Sequence, residues 1–218
     1  MYMCHEQRAV QCYAFFMRTA YLLLGVLWLI VIVGAAYGFN RGFTPSRDTG
    51  SMSNQEAPPM ATSTLSLTST AFENGGLIPA KYTCDEDRTL SPQLSIAGVP
   101  AEAKSLTLIM DDPDVPKVIH PDGMFDHWVL FNIPPTTTGI PEGGSAGIAG
   151  RNGAGKNAYT GPCPPPQYEP SEHRYFFKLY ALDTELALQA GASKAEVEKA
   201  MQGHVVGEVQ LLGRYKRK

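Results

Sequence analysis

Hydrophobic and polar positions divide this chain into three unlike stretches. From Thr19 to Asn40 no residue is charged, and the centre, Tyr21 to Val33, is apolar almost throughout. Written as a helix, these 22 residues reach roughly 33 Å, enough for a bilayer core of about 30 Å. Tyr21 and Tyr37 stand near the two ends, where interfacial aromatics belong. The pattern predicts a transmembrane anchor over 19–40, preceded by a short tail over 1–18. Gly34 and Ala36 keep a second outcome open, a secretory signal cleaved after Ala36. A buried core helix fits less well, because the stretch has no polar face. Residues 41–63 are rich in Ser, Thr and Pro and poor in apolar side chains, the composition of a flexible linker.

From residue 64 to 218 the periodicity is that of a folded, mainly β domain. Leu65–Ser69 alternates apolar and polar positions. Ser105–Met110, Trp128–Ile133 and Tyr175–Leu182 are short and rich in β-formers, and Val205–Leu212 predicts a last strand. One helix is signposted by a capping box, Ser193 with Glu196, and by Gly203 as its stop. The 21 glycines and 17 prolines of the chain supply turns between these elements.

Composition changes the picture in three ways. A mean hydropathy of -0.14 describes an ordinary soluble chain and conceals the apolar stretch. The formal net charge is -3, and the domain alone carries 14 basic against 18 acidic residues, a net of about -4. That excludes nucleic-acid binding through a broad positive field. Four cysteines are too few for a disulfide scaffold of this size. Orientation of the anchor is nearly balanced, with Arg8 and Arg18 before it and Arg41 and Arg47 after it. The terminal amine tips the tail inward and places the domain outside the cytoplasm. After signal cleavage the domain would be secreted or periplasmic.

Candidate chemistry lies at strand ends. Asp111-Asp112-Pro113-Asp114 reads as a rigid acidic loop presenting a carboxylate. His127 and His173 each enter a strand, and Gly161-Pro-Cys-Pro-Pro-Pro166 lies shortly before His173. Loops gathered at one end of a sheet commonly form a site. Asp112, His127 and His173 lack the spacing of a metal-binding motif, and no metal or other cofactor is expected. No Gly-x-Ser-x-Gly elbow is present. Cys163 is hemmed in by prolines and makes a poor nucleophile. Gly150-Arg-Asn-Gly-Ala-Gly-Lys-Asn157 nearly matches a P-loop but ends in Asn157 instead of Ser or Thr; it reads as a mobile loop beside the site. An anion pocket fits these residues best. A hydrolase using His127 or His173 as general base is the alternative.

A resemblance covers most of the domain. Ile78-Pro-Ala-Lys-Tyr-Thr-Cys-Asp85, Ser91-Pro92, Asp111-Asp-Pro-Asp114, His127-Trp-Val-Leu-Phe-Asn-Ile-Pro134, Gly150-Arg-Asn152, Gly161-Pro-Cys-Pro-Pro165 and His173-Arg-Tyr-Phe176, in this order, resemble the phosphatidylethanolamine-binding protein family in its bacterial Raf-kinase-inhibitor-like branch. The resemblance implies a two-sheet β-sandwich-like fold with a few peripheral helices. It implies a small pocket for phosphate-bearing ligands, either a lipid headgroup or a phosphorylated partner. Motif by motif, the pocket falls on Asp112, Asp114, His127, His173 and Tyr175, with Cys163 and Pro164 forming one wall. Some eukaryotic members have glycine where this chain has Cys163, and little chain remains after the last strand for the C-terminal helix of the eukaryotic type. Ligand binding therefore carries over more safely than inhibition of a kinase or protease. Cys84 and Cys163 fall in two of the motif loops; outside the cytoplasm they can form a disulfide, and free buried thiols are the other outcome.

Overall fold

The computed structural model describes residues 65–218. The tail, the expected anchor over 19–40 and the linker over 41–63 lie outside the described residues. Among the described residues no helix is long and apolar enough to cross a membrane.

Nine strands and one helix follow in order: β1 Ser66–Thr68, β2 Gly76–Leu77, β3 Leu94–Ala97, β4 Ser105–Asp112, β5 Phe125–Ile133, β6 Gly139–Ile140, β7 Ile148–Ala149, β8 Glu172–Leu182, α1 Lys194–Met201 and β9 Val205–Lys216. A 3-10 turn covers Ala80–Tyr82. The strands form a three-stranded sheet, β1-β3-β6, and a six-stranded sheet, β2-β9-β8-β4-β5-β7. All pairings are antiparallel except β2 with β9. Instead of a few peripheral helices, the described residues hold one α-helix and the 3-10 turn.

The centre of the six-stranded sheet is buried on both faces, whereas β8 and β9 bury mainly one, and the sequences follow this difference. β4 sits in the middle and is buried at all eight positions, so it reads as a continuous run. Leu106, Leu108 and Met110 meet Leu94, Ile96 and Ile140 of the small sheet in the larger core. Ile109, with Val129 and Phe131 of β5, packs against Val197 and Met201 of α1. The helix starts as its capping box predicts: the Glu196 amide donates to Ser193 Oγ, and the Ser193 amide donates to Glu196 Oε2.

Strand ends run further than their apolar patterns. Asp111 and Asp112 belong to β4 and not to a loop. Charged residues can end this strand because each finds partners on its own face. Asp111 accepts from Lys178 and Lys194 on the helix side, at 2.8 and 3.1 Å. Burial opposes the charge of Lys194, but Asp111 and Asp126 outweigh it and hold the ammonium above its ordinary pKa. Asp112 turns to the opposite face.

Candidate functional site

One irregularity in β5 creates the site. Met110 pairs with Trp128 and Asp111 with Asp126, so His127 is an extra residue between two ladder positions. Such a bulge re-aims a side chain that regular alternation would send elsewhere. Asp126 remains on the helix side, bonded to Lys194. Trp128 stays in the larger core, and the His127 ring lies edge-on to Tyr175 at 5.2 Å and to Phe125 at 4.8 Å. His127 therefore joins residues that β8 supplies by strict alternation, His173 and Tyr175.

The four central groups are buried. His173 Nδ1 donates to Asp112 Oδ2 at 2.7 Å, with both side chains almost wholly enclosed. His173 Nε2 and the Tyr175 hydroxyl are buried and have no hydrogen-bond partner among the described residues. The Tyr175 ring stacks beside His173, with centroids 6.4 Å apart. Burial, then the charge of Asp112, push the Tyr175 hydroxyl far above its ordinary pKa, so it stays a neutral donor. His127 Nδ1 donates to the Thr160 carbonyl. A carbonyl can only accept, so this bond fixes the tautomer and leaves Nε2 as an acceptor in the neutral ring. Burial is the main cause that drives the His127 pKa below its ordinary value; the Thr160 carbonyl opposes it only in part. The site thus combines a fixed hydroxyl donor, a carboxylate-held imidazole and an imidazole acceptor.

Asp114 lies next to the site, two residues beyond Asp112. Its carboxylate is engaged by Arg174, with Oδ2 accepting from Nε and from the backbone amide and Oδ1 from Nη2, at 2.7–2.9 Å. Those bonds hold the Asp114 carboxyl below its ordinary pKa. Its own amide donates to Asp112 Oδ1 at 2.8 Å. Asp114 thus touches Asp112 through its backbone, while its side chain goes to Arg174. Cys163 is joined to Cys84 in a disulfide, with Cα atoms 5.3 Å apart, so no thiol is available there. Pro164 is buried in the adjoining loop.

Several supporting residues escaped sequence reasoning. Phe125 is one, hidden because it precedes the apolar run of β5. Thr160 acts through its backbone, which no side-chain pattern reveals. Asn152 is buried, and its Oδ1 accepts from the amides of Ala154 and Lys156 while Nδ2 donates to Thr160 Oγ1 and the Ala158 carbonyl. Asn152 thus braces the start of the glycine-rich loop, whose residues 153–157 are exposed. No three His, Cys, Asp or Glu side chains gather as metal ligands among the described residues. Two surface hollows of about 440 and 410 Å³ lie elsewhere, one lined by Lys178, Tyr180 and Glu208 and the other by Arg151 and residues 187–192.

The profile of the phosphatidylethanolamine-binding protein family matches residues 68–216. The chain belongs to this family. A UPF0098 protein of Methanothermobacter thermautotrophicus is 49% identical over 160 residues, covering 70% of this chain and 99% of that protein. Another UPF0098 protein, from Pyrococcus horikoshii, is 48% identical over 158 residues, 69% of this chain and 76% of its own. Among solved structures, a putative phosphatidylethanolamine-binding protein homolog of Chlamydia trachomatis, CT736, superposes with a TM-score of 0.67 at 40% identity, covering 72% of this chain and 100% of that one. YbcL of E. coli, described as a member of the mammalian family, gives 0.63 at 26% identity, covering 71% and 99%. The Methanothermobacter and Chlamydia chains are matched almost end to end by part of this one, so those two chains hold little beyond this domain.

Proposed function

We propose that the domain is a binding module for phosphate-bearing ligands, a lipid headgroup or a phosphorylated partner, held at the Asp112–His127–His173–Tyr175 site. The observation that carries the reading is a pair of buried polar atoms, His173 Nε2 and the Tyr175 hydroxyl, with no hydrogen-bond partner among the described residues. Buried polar atoms are nearly always paired; the Tyr175 hydroxyl can donate to a ligand oxygen, and His173 Nε2, in a ring whose Nδ1 proton goes to Asp112, can accept from a protonated ligand oxygen such as a P–OH. The family description, phosphatidylethanolamine-binding protein, supports the same ligand chemistry. In this reading the stretch over 19–40 anchors the domain to a membrane, and residues 41–63 tether it. Regulation of a kinase or protease would be an output of ligand binding.

A hydrolase is the second reading, favoured by one observation. Neutral His127, with its proton fixed on Nδ1, presents an Nε2 that can take a proton. One experiment separates the two. Phosphoethanolamine is titrated into the protein by calorimetry, and phosphorus NMR follows the same samples for inorganic phosphate. Binding without turnover, weakened about tenfold each by Tyr175→Phe and His173→Ala, is the expected result. Affinity unchanged in both variants overturns the site assignment, and phosphate release abolished by His127→Ala establishes the hydrolase.

A further inference from the structure

The proposed site has little positive charge of its own. His127 is driven towards its neutral form, Tyr175 is a neutral donor, and Asp112 adds a negative charge beside His173. Arg174, the nearest cation along β8, is engaged by both oxygens of Asp114. Lys178 and Lys194 face Asp111 on the other side of the sheet. A phosphate monoester, which carries up to two negative charges, needs a cation from elsewhere.

The loop that carries Arg88 runs beside the site. A single peptide group ties its loop to the site: the carbonyl of Thr160 accepts from His127, and the amide of Gly161, across the same peptide bond, donates to the Arg88 carbonyl at 2.7 Å. The two backbones approach so closely that a Cβ on Gly161 would lie 3.0 Å from Arg88 Cα and would strike the Tyr82 carbonyl. The Cys84–Cys163 disulfide and the Cys84 amide, donating to the Pro162 carbonyl at 3.0 Å, fasten the same two loops a few residues away. The Arg88 backbone is thus anchored, yet its side chain is exposed. Among the described residues that side chain makes no ion pair, as is true also of Lys104, Lys117, Arg151, Lys156, Lys199, Lys216 and Lys218, whereas Lys81, Arg174, Lys178, Lys194, Arg214 and Arg217 each face a carboxylate. Its charge reaches the His127 ring, where it opposes protonation.

We propose that Arg88 reads the charge of the bound anion at the mouth of the site, so that dianionic phosphate monoesters are preferred over monoanionic diesters. The inference rests on the anion-site reading above. A planar guanidinium offers two parallel N–H groups to two phosphate oxygens, a match that a lysine ammonium makes only as a point charge. The side chain is exposed, so Arg88→Gln should unfold at the wild-type temperature.

The test uses the full-length chain in a non-ionic detergent, titrated at neutral pH with phenyl phosphate and with methyl phenyl phosphate. Arg88→Gln is expected to weaken the monoester about tenfold and the diester by about threefold or less, with Arg88→Lys between wild type and Arg88→Gln for the monoester. If the wild type binds the monoester and Arg88→Gln binds it equally well, or loses both ligands equally, the role of Arg88 is overturned while the site stands. If the wild type binds neither phosphate, the anion-site reading itself is overturned, and Arg88 with it.

Discussion

His127 shows how a single residue links the site to the stability of the domain. Its pKa lies near 6.5 in an unfolded chain and is driven lower in the folded one, chiefly by burial. Between those two values the unfolded state binds more protons, so stability rises with pH across that interval. The contribution is complete above about 6.5 and is lost as pH falls towards the folded-state value. Urea midpoints should therefore drop between pH 7.5 and 5.5, and His127→Gln should flatten that slope. Equal slopes in the two proteins would refute the assignment. Asp114 acts in a separate, more acidic window, because its carboxyl is held below the ordinary carboxylate range by Arg174. Residue type alone marked His127, His173 and Asp112 as chemistry. It could not separate Asp112, which turns to the site, from Asp114, whose charge Arg174 takes up. That distinction depends on a contact between residues 60 positions apart.

Elements were legible where one physical cue dominated. The capping box at Ser193 predicted the start of α1, and the run of β-formers in Tyr175–Leu182 predicted the interior of β8. The short strands β2, β3, β6 and β7 span only two to four residues. They are too short for a period to show, and sheet pairing defines them. The ends of β4 and β5 were underestimated for another reason. Their last polar residues are stabilised by tertiary partners, and local pattern cannot anticipate lysines from β8 and α1. The bulge at His127 is likewise invisible in a single strand, since an extra residue is extra only against its neighbour. It is nevertheless the element that turns a β-sandwich edge into a site.

For the molecule as a whole, the Cys84–Cys163 bridge closes the longest covalent constraint among the described residues, across a separation of 79. Cross-linking a loop of that length restricts the unfolded chain and contributes up to about 4 kcal/mol in the chain-entropy account. Replacing both cysteines by alanine should lower the unfolding free energy by a sizeable part of that amount, read from urea titrations under non-reducing conditions. An unchanged midpoint would show that the two loops hold together without the bond. The bridge also bears on where the domain works, because such bonds persist in oxidising compartments. The family and its two-sheet fold were legible from ordered motifs spread over the domain, whereas the depth of the site was not. Depth arises where the small sheet and loop residues such as Tyr159 pack over the face of the large sheet that carries Tyr175.

The adjacent acids of β4 carry a consequence for how such chains diverge. Asp111 and Asp112 are neighbours in sequence, but the sheet lies between their side chains, one facing Lys178 and Lys194 and the other His173. Mutations in one set are therefore shielded from the other. Across relatives, Asp111, Lys178 and Lys194 should be replaced together as one block, while Asp112 and His173 drift or persist as a second. Two consecutive letters of the sequence would then carry separate evolutionary histories, and an aligned set of relatives in which Asp111 covaries with His173 would contradict this.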